Sequence, residues 1–154
     1  PGAIRDVIIA RIAALTPPAP VTPRFVAHRG ETLPLRRWAA ANPTGCMRRF
    51  DVERVGGPRR AEVTTGISEL IRVDFEIVVA YKADHRFSDM RNLQDVIDAD
   101  LAHIIKYAGT LGFSATPTSN ATIVDGEQRT EGGDGSPVLF GVVPLLDIAF
   151  WRAA

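Results

Sequence analysis

The chain has 154 residues, 45% of them hydrophobic, and 18 Lys and Arg side chains balance 18 Asp and Glu, giving a formal net charge of zero. This length predicts one domain with its own core, and zero charge excludes the global positive field typical of nucleic-acid-binding proteins. Cys46 is the single cysteine, which excludes an internal disulfide and favours a small, partly buried thiol. No apolar run suits a membrane span and no signal-peptide pattern is visible, so we expect a soluble protein made in the cytoplasm, without a membrane partner.

The first predicted element is an amphipathic helix in residues 1–16, where AIRDVIIARIAAL has apolar side chains at helical spacing. The prolines that follow end this helix and make residues 17–24 a stiff connector, because proline lacks an N–H and restricts the preceding residue. Phe25 to His28 predicts a brief strand, with a second one near Thr32 to Leu35. The segment RRWAAANPTG predicts a helical turn or a loop.

Alternating side chains predict two longer strands. The first runs from Met47 to Val55 and is expected to end at Gly56-Gly57-Pro58, which places Arg59 and Arg60 in or beside a turn. Extended character resumes in AEVTTGI and leads into LIRVDFEIVVAYK at residues 70–82.

The segment at residues 70–82 has apolar side chains on both faces of the predicted strand. One face carries an unbroken apolar row, which comprises Ile71, Val73, Phe75, Ile77, Val79 and Tyr81. The other face begins with charged side chains but continues with Val78 and Ala80. Something other than water is therefore expected on the second face as well.

A long amphipathic helix is predicted at residues 88–109, started by Ser88 or Asp89 and ended by Gly109. Its aspartates are assigned to the wet side; they are Asp95, Asp98 and Asp100. ATIV is expected to pair with the closing segment VLFGVVPLLDIAFWR, and residues 126–137 read as a long mobile loop. Pro144 predicts a bulge, a break or an edge position. The closing strand should alternate, with Leu146, Ile148 and Phe150 on one face and Leu145, Asp147, Ala149 and Trp151 on the other.

This order predicts one α+β domain over residues 1–154, in which a mainly antiparallel sheet is covered on one face by two helices. The second face retains apolar surface at Val78 and Ala80 and on the closing strand. A loop, another sheet or another subunit must cover that surface, and a neighbouring subunit is the natural solution.

No motif in the chain predicts catalysis, a metal site or a cofactor. His28, His85 and His103 are far apart, without carboxylates or cysteines at metal-ligand spacing. Asp100 and His103 are expected to form a surface polar pair rather than an acid and a base. The glycine-rich loop lacks the Gly-Lys-Ser/Thr ending of a phosphate-binding loop. We therefore expect that the protein is not an enzyme.

Two arginine pairs form the densest basic feature, and they comprise Arg48, Arg49, Arg59 and Arg60. The simplest interpretation is solvated strand ends beside a turn. The functional alternatives are ion pairs with acidic groups of a neighbouring subunit, or non-specific contact with passing DNA. Trp38 and Trp151 are interpreted as core or edge-packing residues, although tryptophan is frequent at interface centres.

The assembled order, which ends with LIRVDFEIVVAYK, MRNLQDVIDADLAHIIKYAG and VPLLDIAFWR, resembles the tail terminator (tail completion) proteins of long-tailed bacteriophages. The likeness is one of architecture and length and includes no signature motif. It implies a virion protein that forms a ring, typically hexameric, which caps the tail tube and joins it to the head connector. Its partners would be itself, the tail tube protein and the head–tail connector protein. The candidate interface residues are Arg48, Arg49, Arg59, Arg60, Val78, Ala80 and Trp151.

Two other functions remain open at this stage. The first is another ring protein of the phage neck or of head completion. The second is a monomeric α+β module that binds a small molecule or nucleic acid, whose affinity for phosphate would fall steeply with salt.

Overall fold

The protein is described by a computed structural model that covers residues 2–20, 22–42, 45–62, 68–82, 90–110, 121–123 and 138–153. The elements in chain order are α1 (Gly2–Ala13), β1 (Val26–Ala27), α2 (Leu35–Ala41), β2 (Arg49–Glu62), β3 (Ser68–Lys82), α3 (Met90–Thr110), β4 (Ala121–Ile123) and β5 (Val138–Ala153). The strands form one sheet in the order β1-β2-β3-β5-β4. β1 runs parallel to β2 and the other pairs are antiparallel, so the predicted α+β class with a mainly antiparallel sheet is confirmed.

The main core lies between one face of the sheet and two helices, α1 and α3. The predicted apolar row of β3 faces these helices from Val73 to Tyr81, and the helices contribute Ile8, Ile9, Ile12, Leu93, Ile97, Leu101 and Ile104. All of these side chains are buried. The expected cover of one face by two helices is therefore confirmed.

Helix α2 covers part of the opposite face and forms a second, smaller core. Leu35 and Ala39 of α2 pack with Cys46, Val78, Ala80, Val138 and Phe140. Val78 and Ala80 each have 0% exposure within the single chain. The expectation that they need a neighbouring subunit is therefore wrong, because the segment interpreted as a turn or loop is a helix that covers them.

The start of α2 also corrects the second brief strand expected near Thr32 to Leu35. Pro34 precedes the helix with φ −58° and ψ 153°, and helical hydrogen bonding begins when Trp38 N–H donates to the Pro34 carbonyl at 2.9 Å. Proline is well suited to this place because it has no N–H to leave unpaired. The strand expected at Phe25 to His28 is present as β1.

Strand β2 continues through Gly56-Gly57-Pro58, where the sequence predicted its end. Val55 pairs with Asp74 and Arg59 pairs with Arg72, so three residues of β2 lie opposite one residue of β3. Gly56 has φ +70°, a conformation that glycine adopts without a steric penalty, and the extra residues form a bulge. Arg59 and Arg60 consequently lie in a paired strand rather than in a turn.

A second bulge changes the faces of β5. Val73 pairs with Ile148 and Phe75 pairs with Leu145, so two residues of β5 lie opposite Asp74 alone. Leu145 and Ile148 therefore both enter the main core, while Leu146 is exposed. The predicted alternation, with Leu145 and Ile148 on opposite faces, is wrong because it assumed a regular strand. The bulge begins two residues after Pro144, which agrees with the irregularity predicted there.

The other predicted elements are close to their observed bounds. Helix α3 extends one residue beyond Gly109, the predicted end, and β4 pairs with β5 as expected. The predicted capping residues Ser88 and Asp89 and the loop at 126–137 lie outside the described residues.

Candidate functional site

Arg48 is the centre of a buried polar network. Its guanidinium donates two hydrogen bonds to the Asp100 carboxylate, at 2.7 and 2.9 Å, and Tyr81 donates its hydroxyl proton to the same carboxylate at 2.9 Å. The remaining guanidinium donors reach the carbonyls of the proline-rich connector, which belong to Pro18, Pro20 and Pro23. Both charged side chains have 0% exposure. Arg48 therefore joins the connector to α3 and is not an interface residue.

The backbone of Arg48 is also unusual. Its φ is +59°, in the left-handed region that non-glycine residues rarely occupy. Its N–H donates to the Ala80 carbonyl at 2.7 Å, and its carbonyl accepts from Val26 N–H at 3.1 Å. This conformation places the guanidinium beside Asp100 while the main chain enters β2.

The network moves Asp100 from the predicted wet side of α3 to its buried side. Burial raises the pKa of Asp100, although the Arg48 guanidinium and the Tyr81 hydroxyl oppose that shift. Burial also raises the pKa of Tyr81 well above its usual range. The sequence spacing indicates this placement, because Asp100 follows Ile97 by three residues and precedes Ile104 by four. Residues at these spacings lie on the same face of a helix.

Arg49 belongs to a partly exposed cluster at the junction of β1 and α2. Its guanidinium lies 3.9 Å from the centre of the Trp38 ring and donates to His28 Nδ1 at 2.9 Å. Glu31 lies 3.8 Å from the same guanidinium. His28 contacts the Trp38 ring and is within hydrogen-bond distance of the Leu33 carbonyl through its other ring nitrogen. Arg49 thus fixes the loop after β1 against α2.

The outer surface of this junction is basic and partly apolar. Arg29 follows His28 and Arg37 precedes Trp38 in the chain, and both are exposed, as are Val26 and Leu33, at 50% and 43%. We call these four residues the basic patch. With Arg49 and Glu31 included, three positive charges stand beside one negative charge.

An acidic surface lies on the α2 side of the sheet, on strands beyond the second core. Glu53 of β2 pairs directly with Glu76 of β3, and Arg36 of α2 is 3.8 Å from the first and 3.7 Å from the second. Like charges directly opposite each other on neighbouring strands destabilise a sheet. Arg36 is shared between the two carboxylates, and the more distant Arg5 charge also acts on Glu53. Burial raises the pKa of Glu53, and the Arg36 charge only partly opposes this.

Two exposed apolar side chains flank this carboxylate pair. Val55 follows Glu53 on the same face of β2 and is 40% exposed, and Leu146, in the bulge of β5, is 37% exposed. We call Glu53, Val55, Glu76 and Leu146 the acidic patch. Four of the five exposed large hydrophobic side chains in the described part of the chain therefore lie in the two patches, and Val7 of α1 is the fifth.

The remaining candidates divide between buried positions and strand positions. Cys46 is fully buried and burial raises the pKa of its thiol to about 11, so it stays protonated at neutral pH. Arg59 and Arg60 pair with Arg72 and Ile71, and Trp151 pairs with Leu70. The side chains of these three candidates lie outside the described part of the structure. Of the predicted arginines with described side chains, only Arg49 reaches the surface.

Comparison with known protein families, with curated proteins and with solved structures finds no match to this chain. Across the described ranges, no helix combines the length and apolar character that a membrane crossing needs. Sequence reasoning missed Glu53, Glu76 and Arg36, because their proximity depends on the strand register and on the presence of α2.

Proposed function

We propose that this chain is a structural subunit of a bacteriophage virion, whose copies form a ring that caps the tail tube and joins the tail to the head connector. The order of elements that motivates the resemblance, an amphipathic helix, a proline-rich connector, long antiparallel strands, a long helix and a closing strand, agrees with the described fold. The apolar surplus at Val78 and Ala80 gives no support, because α2 covers both residues.

The observation that carries the proposal is the distribution of exposed apolar side chains. Four of the five in the described part of the chain occur in pairs inside one basic and one acidic patch, and interfaces between proteins combine apolar and polar surface in this way. Contact with DNA is not part of the proposal. Arg48 is buried and Arg49 is occupied by Trp38, His28 and Glu31.

The proposal is tested with phage particles that lack this chain. Purified protein is added to tails and filled heads from a phage in which its gene has been deleted, and joined particles are counted by electron microscopy. The expected result is that joining requires the protein and that the protein is found at the upper end of the tail tube. Unchanged joining with and without the protein would contradict the proposal. Protein found only on separated heads would instead support a head-completion role.

A matched pair of variants connects the assay to the surface. Leu146→Asp adds a negative charge beside the carboxylates of the acidic patch and is expected to abolish joining. Val7→Asp places the same change on α1, outside both patches, and is expected to leave joining unchanged. Both residues are exposed, so neither change creates a buried charge.

A further inference from the structure

The two patches have complementary chemistry. The basic patch offers two exposed arginines with two exposed apolar side chains, and the acidic patch offers two carboxylates with two exposed apolar side chains. Polar rims of opposite charge around apolar contacts favour one register of association and disfavour others.

The carboxylate pair is the feature least explained by the single chain. Glu53 and Glu76 share one arginine at distances longer than a hydrogen bond, and each carboxylate is about one third exposed or less. A partner that brings one more positive charge would offset the second carboxylate. It would also cover Val55 and Leu146, whose contact with water is unfavourable.

We propose that the acidic patch of one copy binds the basic patch of the next copy, with Arg29 and Arg37 facing Glu53 and Glu76, and Val26 and Leu33 packing on Val55 and Leu146. This inference rests on the proposed ring and names the surfaces that close it. The two patches are different surfaces of the chain, so a head-to-tail contact between them links each copy to two neighbours, and it forms a ring when the rotation from copy to copy closes.

Cross-linking tests the contact even when it is short-lived. One variant carries Leu33→Cys and a second carries Leu146→Cys, while the native Cys46 has 0% exposure and stays unreactive. Mixing the two under mild oxidation is expected to give a disulfide-linked heterodimer, and neither variant alone should give more than a trace. The control mixture replaces Leu33→Cys with Val7→Cys, because Val7 is equally exposed but lies on α1.

Charge reversal provides the second measurement. Arg29→Glu with Arg37→Glu is introduced into the Leu33→Cys variant, and Glu53→Lys with Glu76→Lys into the Leu146→Cys variant. Either pair of reversals alone should reduce the heterodimer yield at least about tenfold, which corresponds to about 1.4 kcal/mol of association free energy. Combining both sets restores opposite charges across the contact and should restore the yield. Circular dichroism of each variant checks that the fold is intact.

The outcomes separate this inference from the proposed function. The contact is overturned if the mixtures with Leu33→Cys and Val7→Cys give equal yields of heterodimer, or if charge reversal does not change the yield. Either result would stand even if the protein still joins heads to tails. Specific cross-linking in a protein that does not act on tails supports the contact and overturns the tail function. A salt series gives a further check, since screening at about 1 M salt should weaken the wild-type contact.

Discussion

Arg48 shows how one side chain can organise several distant segments. It binds Asp100 of α3 and three carbonyls of the connector, and its partner Asp100 also accepts from Tyr81 of β3. All of the charge is removed from water, so desolvation opposes what the ion pair contributes. The network is best understood as fixing one arrangement of the connector, whose prolines supply few hydrogen-bond donors of their own.

Loss of the Arg48 side chain should therefore be costly. Arg48→Met leaves the Asp100 carboxylate buried without its cation, and we expect the free energy of unfolding to fall by about 3–5 kcal/mol in urea titrations. The double variant Arg48→Met with Asp100→Leu should lose less, because no charge remains buried. Arg49→Met is the matched control and should cost about 1 kcal/mol or less. An equally small loss for Arg48→Met would show that the network contributes little.

Glu53 gives a prediction about pH. Burial raises its pKa above the ordinary value of 4.5, so at pH values just above 4.5 the folded protein holds a proton that the unfolded chain has lost. The contribution of Glu53 to the free energy of unfolding therefore falls as pH rises through this window, and it is smallest above the raised pKa. Glu53→Gln also removes repulsion from Glu76, and we expect it to stabilise the protein by about 0.5 kcal/mol at pH 7 and to flatten this part of the pH profile.

Glu31→Gln serves as the comparison for that measurement, because Glu31 is exposed and has no carboxylate paired with it across a strand. Thermal unfolding from pH 4 to pH 8 would supply both profiles. If stability depended on pH in the same way in the Glu53→Gln variant and the wild type, the raised pKa of Glu53 would be contradicted.

At the scale of elements, the irregularities of β2 and β5 decide where side chains point. The bulge opposite Asp74 sends Leu145 and Ile148 into one core, and the bulge at Gly56 keeps β2 paired beyond the residues that seemed to end it. Helix α3 lies on β5 at Gly141, where an added Cβ would be 2.9 Å from a methyl carbon of Leu101 and 3.2 Å from one of Ile97. A glycine there lets the helix approach the sheet.

Gly141→Ala should therefore push α3 away from β5. We expect a loss of about 1–3 kcal/mol and a decrease in Tm of about 2–10 °C, measured by circular dichroism. Gly57→Ala is the control, because an added Cβ there meets nothing within 4 Å. If the two variants have the same Tm, the close approach at Gly141 is not needed for stability.

The sequence was sufficient to predict the elements whose apolar pattern is long and regular. The apolar row of β3 and the stripe of α3 predicted the main core, and the connector followed from its prolines. The faces of β5 were not predictable, since a bulge of one residue reverses the alternation. The patches were not predictable either, because Glu53 meets Glu76 only through the pairing register of β2 and β3.

For the whole molecule, the main consequence is that two cores share one sheet. β3 contributes Ile77 and Val79 to the main core and Val78 and Ala80 to the second, so neither core can form without this strand. The unfolding of α2 should therefore coincide with that of the remainder, as a single cooperative transition.

A single fluorescent reporter can test this cooperativity. Trp151→Phe leaves Trp38 of α2 as the only tryptophan. In urea, Trp38 fluorescence and far-ultraviolet circular dichroism should give the same midpoint and slope. An earlier fluorescence transition would show that α2 detaches before the sheet unfolds.

Strand β1 covers only part of the β2 edge, and α1 covers the next position along it. The carbonyls of Arg48 and Phe50 accept from Val26 and His28, and the next carbonyl on that edge, at Val52, accepts from Arg5 at 2.6 Å. Arg5 also pairs with Asp51. Helix α1 thus protects this edge from pairing with strands of other molecules, in addition to packing in the main core. A variant without α1 would leave the Val52 carbonyl of this edge unpaired, and we expect it to form fibrils more readily through pairing between strands of different molecules.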